Sequence, residues 1–175
     1  MQPPDSMLQS TAVGSIMDYT RPELILPQLE ERDTAGIIGQ LSQALQGQGA
    51  VPDVLPFYHA ALNQELLHNS ALASGIAIPH ARLAGVKQVR FAFGRAPTPV
   101  NWGARGSWAV QFVFLVAIPA SNSATYLNLL AGIAKLGQQP ELLEKLRTVN
   151  GKGGILEVFE HVRLRSRAGP CASES

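Results

Sequence analysis

One stretch of the chain carries residue types able to do chemistry: Ser74-Gly75-Ile76-Ala77-Ile78-Pro79-His80-Ala81-Arg82. An apolar run ends at Pro79 and His80 follows directly, in a chain with four histidines. Near neutral pH much imidazole is unprotonated, so a histidine placed there can act as a nucleophile. Pro79 fixes the local backbone. One ring nitrogen of His80 is then exposed, while a backbone carbonyl can hold the other and set the tautomer. This suits a group that accepts another group in line and hands it on. The small residues Ser74, Gly75, Ala77 and Ala81 leave room for a partner surface. From local chemistry alone a second reading stays open, in which His80 only caps a carbonyl at a strand end.

The other histidines, His59, His68 and His161, are scattered, and no HxxxH or CxxC spacing marks a metal site. His68, at the end of a helix, is expected to interact with the helix dipole. The sequence Gly151-Lys152-Gly153-Gly154 lacks the spacing and the Ser/Thr of a phosphate-binding loop and reads as a turn.

The chain that must position His80 has 175 residues, enough for one domain with a sizeable core. Apolar residues make up 46% and charged residues 15%, which marks a globular, core-rich chain. A net charge of +1 without a Lys/Arg cluster argues against a nucleic-acid partner. The longest apolar run, Phe112 to Ala120, is nine residues and contains Pro119, too short for a membrane span. Residues 1–20 lack the charged start and apolar stretch of a signal peptide. The single cysteine, Cys171, allows no intrachain disulfide. A cytoplasmic location is the expectation.

Residues 1–15 read as a flexible leader, 16–163 as the domain and 164–175 as a flexible tail. Leu24–Leu26 with Leu29 predicts a first strand. Asp33 caps a helix with the stripe Ile37, Ile38, Leu41, Ala44 and Leu45, which stops at Gly47/Gly49. Asp53 caps a second helix whose expected core face is Val54, Leu55, Tyr58, Ala61, Leu62 and Leu66. Strands are predicted at Gly75–Ile78, at Val89–Phe93 and at Trp108–Ile118, the last buried on both faces. Residues 97–107 (PTPVNWGARGS) form the loop between the last two, and Trp108 is expected in the core. Helices follow over 122–137, after Pro140, and along Ile155, Leu156, Phe159 and Val162. The predicted fold class is α/β: a single domain with a mixed β-sheet flanked by helices on both faces.

The stretch SGIAIPHAR resembles the phosphorylation-site signature of the fructose/mannitol-type (type 2) enzyme IIA domains of the bacterial phosphoenolpyruvate-dependent sugar phosphotransferase system. That family includes the nitrogen-regulatory IIA branch. Ile78-Pro79-His80-Ala81 matches the signature itself. The segments RPELILPQLEERD, PTPVNWGARGSWAVQFVFLVAIP and TYLNLLAGIAKLGQQPELLEKLR are similar to the family's opening, central and helical regions in the same order, so the likeness covers about residues 16–162. It implies that His80 takes a phosphoryl group from a histidine phosphocarrier protein, on Nε2, and passes it to a IIB domain or uses it as a regulatory signal. It implies no metal or organic cofactor. Backbone N–H groups around Ile78–Ala81 and the Ser74 hydroxyl are expected to donate to the phosphate oxygens.

The sequence departs from the family pattern at two places. Where the resemblance implies an arginine before a glutamate, Gln64 precedes Glu65; where it implies a second histidine, Tyr126 stands. Each lost charge-assisted hydrogen bond is worth about 1.5–3 kcal/mol. Gln64 and Tyr126 can still donate, through amide and hydroxyl. Arg82 is the first candidate to supply the missing charge; Arg95 and Arg105 are weaker ones. The alternative function is a degenerate IIA-like module that regulates a partner by docking, with weak or no phosphorylation. A component of a transporter is a third reading.

Overall fold

The computed structural model describes residues 14–121 and 124–165. Two short 3-10 turns, Ile16–Tyr19 and Pro22–Leu24, lead into strand β1 (Ile25–Leu26). Helices α1 (Thr34–Gly47) and α2 (Val54–Leu67) follow, then strands β2 (Ile76–Ala77), β3 (His80–Leu83), β4 (Arg90–Trp102) and β5 (Trp108–Pro119). Helices α3 (Ala124–Leu136), α4 (Pro140–Thr148) and α5 (Gly151–Glu160) complete the described chain.

The five strands make one mixed sheet in the order β1, β4, β5, β2, with β3 also pairing β5. β4 and β5 are antiparallel, whereas β1 runs parallel to β4, and β2 and β3 run parallel to β5. Strand alternation divides the core into two layers. Phe91, Phe93, Phe112, Phe114 and Val116 face α3, α4 and α5, with Phe159 of α5 packed edge-on against Phe93, the rings 5.0 Å apart. Ala92, Val113, Leu115 and Ala117 face the other way, onto Ile37, Ile38 and Leu41 of α1 and Phe57 and Ala61 of α2. The mixed sheet covered on both faces is the architecture that the strand and helix periods predict.

Local signals explain most boundaries. Asp33 accepts the Gly36 N–H at 2.6 Å and Asp53 accepts the Leu55 N–H at 3.3 Å. Caps of this kind are worth about 1 kcal/mol each. Pro140 opens α4 in the first turn, where its missing N–H costs nothing.

Several boundaries differ from expectation. β4 runs through residues 97–102, so only 103–107 remain as the hairpin loop. Pro97 and Pro99 are accommodated because they fall in the register shift between Arg95 and Val100, where the ladder is interrupted. Gly151–Gly154 is the first turn of α5, not a free turn. Trp102 is fully buried, whereas Trp108, expected in the core, is 41% exposed. The fold also reaches past 16–163: Ser15 bridges Arg163, Leu164 N donates to Gly14 O at 2.7 Å, and Leu164 is buried in the core. The rest of the expected leader, and the tail from residue 166, lie outside the described residues.

Helix α2 is rotated from its predicted face. Phe57, Ala61 and Glu65 point inward, four residues apart, while Leu55 and Leu66 of the expected face are 59% and 42% exposed. Hydrophobic periodicity misses this face because one of its inward residues is a carboxylate.

Candidate functional site

β2 and β3 behave as one edge strand interrupted at Ile78-Pro79. Ile76 lies opposite Phe112 and His80 opposite Val116, so the register against β5 is the same on both sides of the break. The turn before it depends on Gly75, whose φ of 87° favours glycine and whose N–H donates to Leu72 O. Pro79 has no N–H, but its carbonyl still accepts from Val116 N at 2.9 Å. His80 therefore opens a strand where the sequence pattern suggested that it follows the end of one. β3 went unseen because its HARL sequence carries no apolar run.

His80 is half-buried, and its Nδ1 lies 3.2 Å from Ile78 O. A carbonyl can only accept, so in the neutral ring Nδ1 is the nitrogen that carries the proton and Nε2 the one that holds the lone pair. This is the carbonyl-held tautomer expected of a nucleophilic imidazole. The Tyr126 ring of α3 packs against the His80 ring. The guanidinium carbon of Arg82 sits 5.9 Å from the Tyr126 ring centroid, within cation–π range. Burial pushes the Tyr126 phenol above its ordinary value, with the Arg82 charge pulling the other way, so at neutral pH the phenol keeps its proton to donate. Gln64 and Ala60 of α2 join His80, Ala81 and Arg82 around an open depression of about 330 Å³. The structure thus gathers Gln64, His80 and Arg82 around the depression and sets Tyr126 against the His80 ring.

The family model that matches residues 18–162 is the phosphoenolpyruvate-dependent sugar phosphotransferase system EIIA 2. The chain belongs to the type 2 enzyme IIA family. A nitrogen regulatory protein from Bradyrhizobium diazoefficiens is 30% identical over 149 residues, covering 82% of this chain and 94% of that protein. The fructose-specific EIIABC component of Bacillus subtilis is 25% identical over 75% of this chain, which matches only 21% of that longer protein. Among solved structures, the nitrogen regulatory protein IIA-Ntr from Neisseria meningitidis superposes with a TM-score of 0.68 at 26% identity, covering 82% of this chain and 98% of that one. Enzyme IIA of the mannitol system from Escherichia coli, solved in complex with phosphorylated IIB, shares the fold at 16% identity and a TM-score of 0.67. Family membership supports a phosphocarrier or regulatory role for this chain. Among the described residues no helix is long and apolar enough to cross a membrane.

Other expected contributors to this enzyme IIA site lie elsewhere or are occupied. Ser74 does not line the depression: its hydroxyl is buried, without a hydrogen-bond partner among the described residues, and packs toward Gly137 at the end of α3. The Ile78 N–H donates to Ser70 Oγ at 2.8 Å, and Pro79 has no N–H, so two of the backbone positions expected to meet a phosphate do not offer donors. Arg95 is structural. It donates to Pro27 O at 3.0 Å, Leu146 O at 2.9 Å and Val149 O at 2.7 Å, tying the end of α4 to the sheet, and burial lowers its pKa. Arg105 lies exposed in the hairpin loop.

The sequence also hid a cluster beneath the signature. Glu65 is 1% exposed, and its Oε1 accepts from Trp102 Nε1 at 2.6 Å, from Ser70 Oγ at 2.9 Å and from Ser70 N at 3.0 Å. A carboxylate survives at such depth only when donors surround it. The available signal was a glutamate on the apolar side of α2, four residues after Ala61.

Proposed function

We propose that this chain is a phosphohistidine carrier of the phosphotransferase system, with His80 as the residue that carries the phosphoryl group. The observation that supports this reading is the His80 Nδ1 contact with Ile78 O, which leaves Nε2 as the nucleophilic nitrogen of a residue lining the open depression. The donor is a histidine phosphocarrier protein. Its N–P bond breaks as the Nε2–P bond forms, and the donor imidazole leaves with the electron pair. His80 keeps its Nδ1 proton throughout, still shared with Ile78 O. In a second transfer the Nε2–P bond breaks as a bond to a nucleophile of a IIB domain forms, and the His80 imidazole leaves with the electron pair; where no such transfer follows, the group stays on His80 as a regulatory signal. Catalysis consists of positioning and charge stabilisation. Arg82 supplies the positive charge for the phosphoryl oxygens, and Tyr126 and Gln64 supply neutral donors.

A second reading has its own support. Gln64 and Tyr126 occupy positions where the resemblance implies a cation and an imidazole, so the site has less positive charge to hold a phosphoryl group. In that reading the depression is a docking surface and His80 is not modified. The deciding experiment is intact-protein mass after incubation with phosphoenolpyruvate, enzyme I and the histidine phosphocarrier, read at neutral-to-alkaline pH because phosphohistidine is acid-labile. A gain of one phosphate that vanishes in His80→Ala establishes the carrier. No gain with a cognate donor overturns the carrier and leaves the docking module as the reading.

A further inference from the structure

We propose that Glu65 is a positioning residue for His80, acting through Ser70 and the backbone of Ile78. The proposal rests on the reading of His80 as the phosphoryl acceptor, and it names the groups that hold the acceptor in its working form.

The hydrogen bonds have only one possible polarity. The Trp102 indole and the peptide N–H of Ile78 can only donate. Glu65 Oε1 must therefore accept from Trp102, and Ser70 Oγ must accept from Ile78. The single Ser70 hydroxyl proton is left for Glu65 Oε1, 2.9 Å away. Ile78 is then gripped at both ends: its N–H by Ser70 and its carbonyl by His80 Nδ1. The residue is 2% exposed, so packing closes the remaining freedom. A chain of four hydrogen bonds thus runs from Trp102 through Glu65, Ser70 and Ile78 to the imidazole. Every link but the last is fixed by something other than His80. The tautomer and the ring plane of His80 follow from the anchor at Glu65.

The test reads the ring directly, without needing any phosphoryl donor. In 15N-labelled, unphosphorylated full chain, the His80 ring signals are assigned by their loss in His80→Ala. The wild type should show a protonated Nδ1 and a lone pair on Nε2. Ser70→Ala and Glu65→Leu should both give a mixture of the two neutral tautomers. The rate of phosphoryl acceptance should fall with them by about tenfold, the effect of one lost hydrogen bond. Glu65→Gln keeps an acceptor oxygen and Ser70→Thr keeps the hydroxyl, so both should retain the wild-type tautomer and rate. That rescue separates positioning from mere stability, which all four substitutions are free to lower. If Glu65→Leu does not fold, Ser70→Ala carries the test. An unchanged His80 tautomer in folded Ser70→Ala overturns the proposal. A shifted tautomer in a protein whose wild type accepts no phosphate upholds the positioning and rejects the carrier reading instead.

Discussion

The His80 and Tyr126 rings lie 5.2 Å apart between centroids and are tilted by 37° to one another. This contact joins β3 to α3 and places a phenol beside the imidazole. Tyr126→Phe keeps the ring and removes only the hydroxyl, so the fold should hold while phosphoryl acceptance slows by about tenfold, the effect of one hydrogen bond to a charged group. Tyr126→His should speed acceptance by restoring a second imidazole. Both rates follow from mass spectra taken over time with a fixed donor concentration. An unaltered rate in both variants would reduce the ring to packing.

Arg82 lies two residues after the histidine on the same strand and carries the formal charge of the site. Arg82→Ala should slow phosphoryl acceptance by about 10- to 100-fold, and Arg82→Lys should lose less. The salt dependence of the rate should weaken in the alanine variant, because an exposed charge is the screened component. Rates measured across a salt series check both statements.

The buried phenol also sets a pH dependence of stability. Its folded-state pKa is raised above the ordinary 10.0, mainly by burial, so the stabilisation is complete below the unfolded value and is lost as pH rises through the folded one. Urea midpoints should therefore decline more steeply for the wild type than for Tyr126→Phe once the pH passes about 10. Parallel curves would remove Tyr126 from the account.

Arg95 gives the converse expectation. Arg95→Met leaves the carbonyls of Pro27, Leu146 and Val149 without their donor, at a cost of about 1–3 kcal/mol. Thermal unfolding should reveal the loss. Phosphoryl acceptance by the folded variant should match the wild type, since the guanidinium anchors α4 and not the depression.

The parts of this fold that the sequence disclosed are those written in apolar periods and caps. The stripe of α1, the almost wholly apolar β5 and the caps Asp33 and Asp53 needed no tertiary information. The parts that stayed hidden are those where a long-range contact overrides the local pattern. Prolines at 97 and 99 read as a loop, yet a register shift lets β4 pass through them. The face of α2 turned on Glu65, whose burial depends on a tryptophan 37 residues away. In the site, His80 and its carbonyl partner followed from Pro79 and local geometry. Arg82 followed from its place two residues after His80, but Gln64 and Tyr126 needed the family likeness, because two other elements contribute them. Ser74 illustrates the limit: proximity in sequence to the histidine did not bring its hydroxyl to the depression, whereas Ser70, further away in the chain, sits directly beneath the signature.

The pairing of Ser15 with Arg163, reinforced by the bond from Leu164 N to Gly14 O, sets the first and last described segments of the domain side by side. A unit built this way is portable. It can be spliced into a host polypeptide, or hung from either side of one, without prising the host's own ends apart. The same geometry makes the order of its segments negotiable: joining residues 14 and 164 through a short linker and opening the chain in the 103–107 loop should yield a protein that still folds around the same sheet.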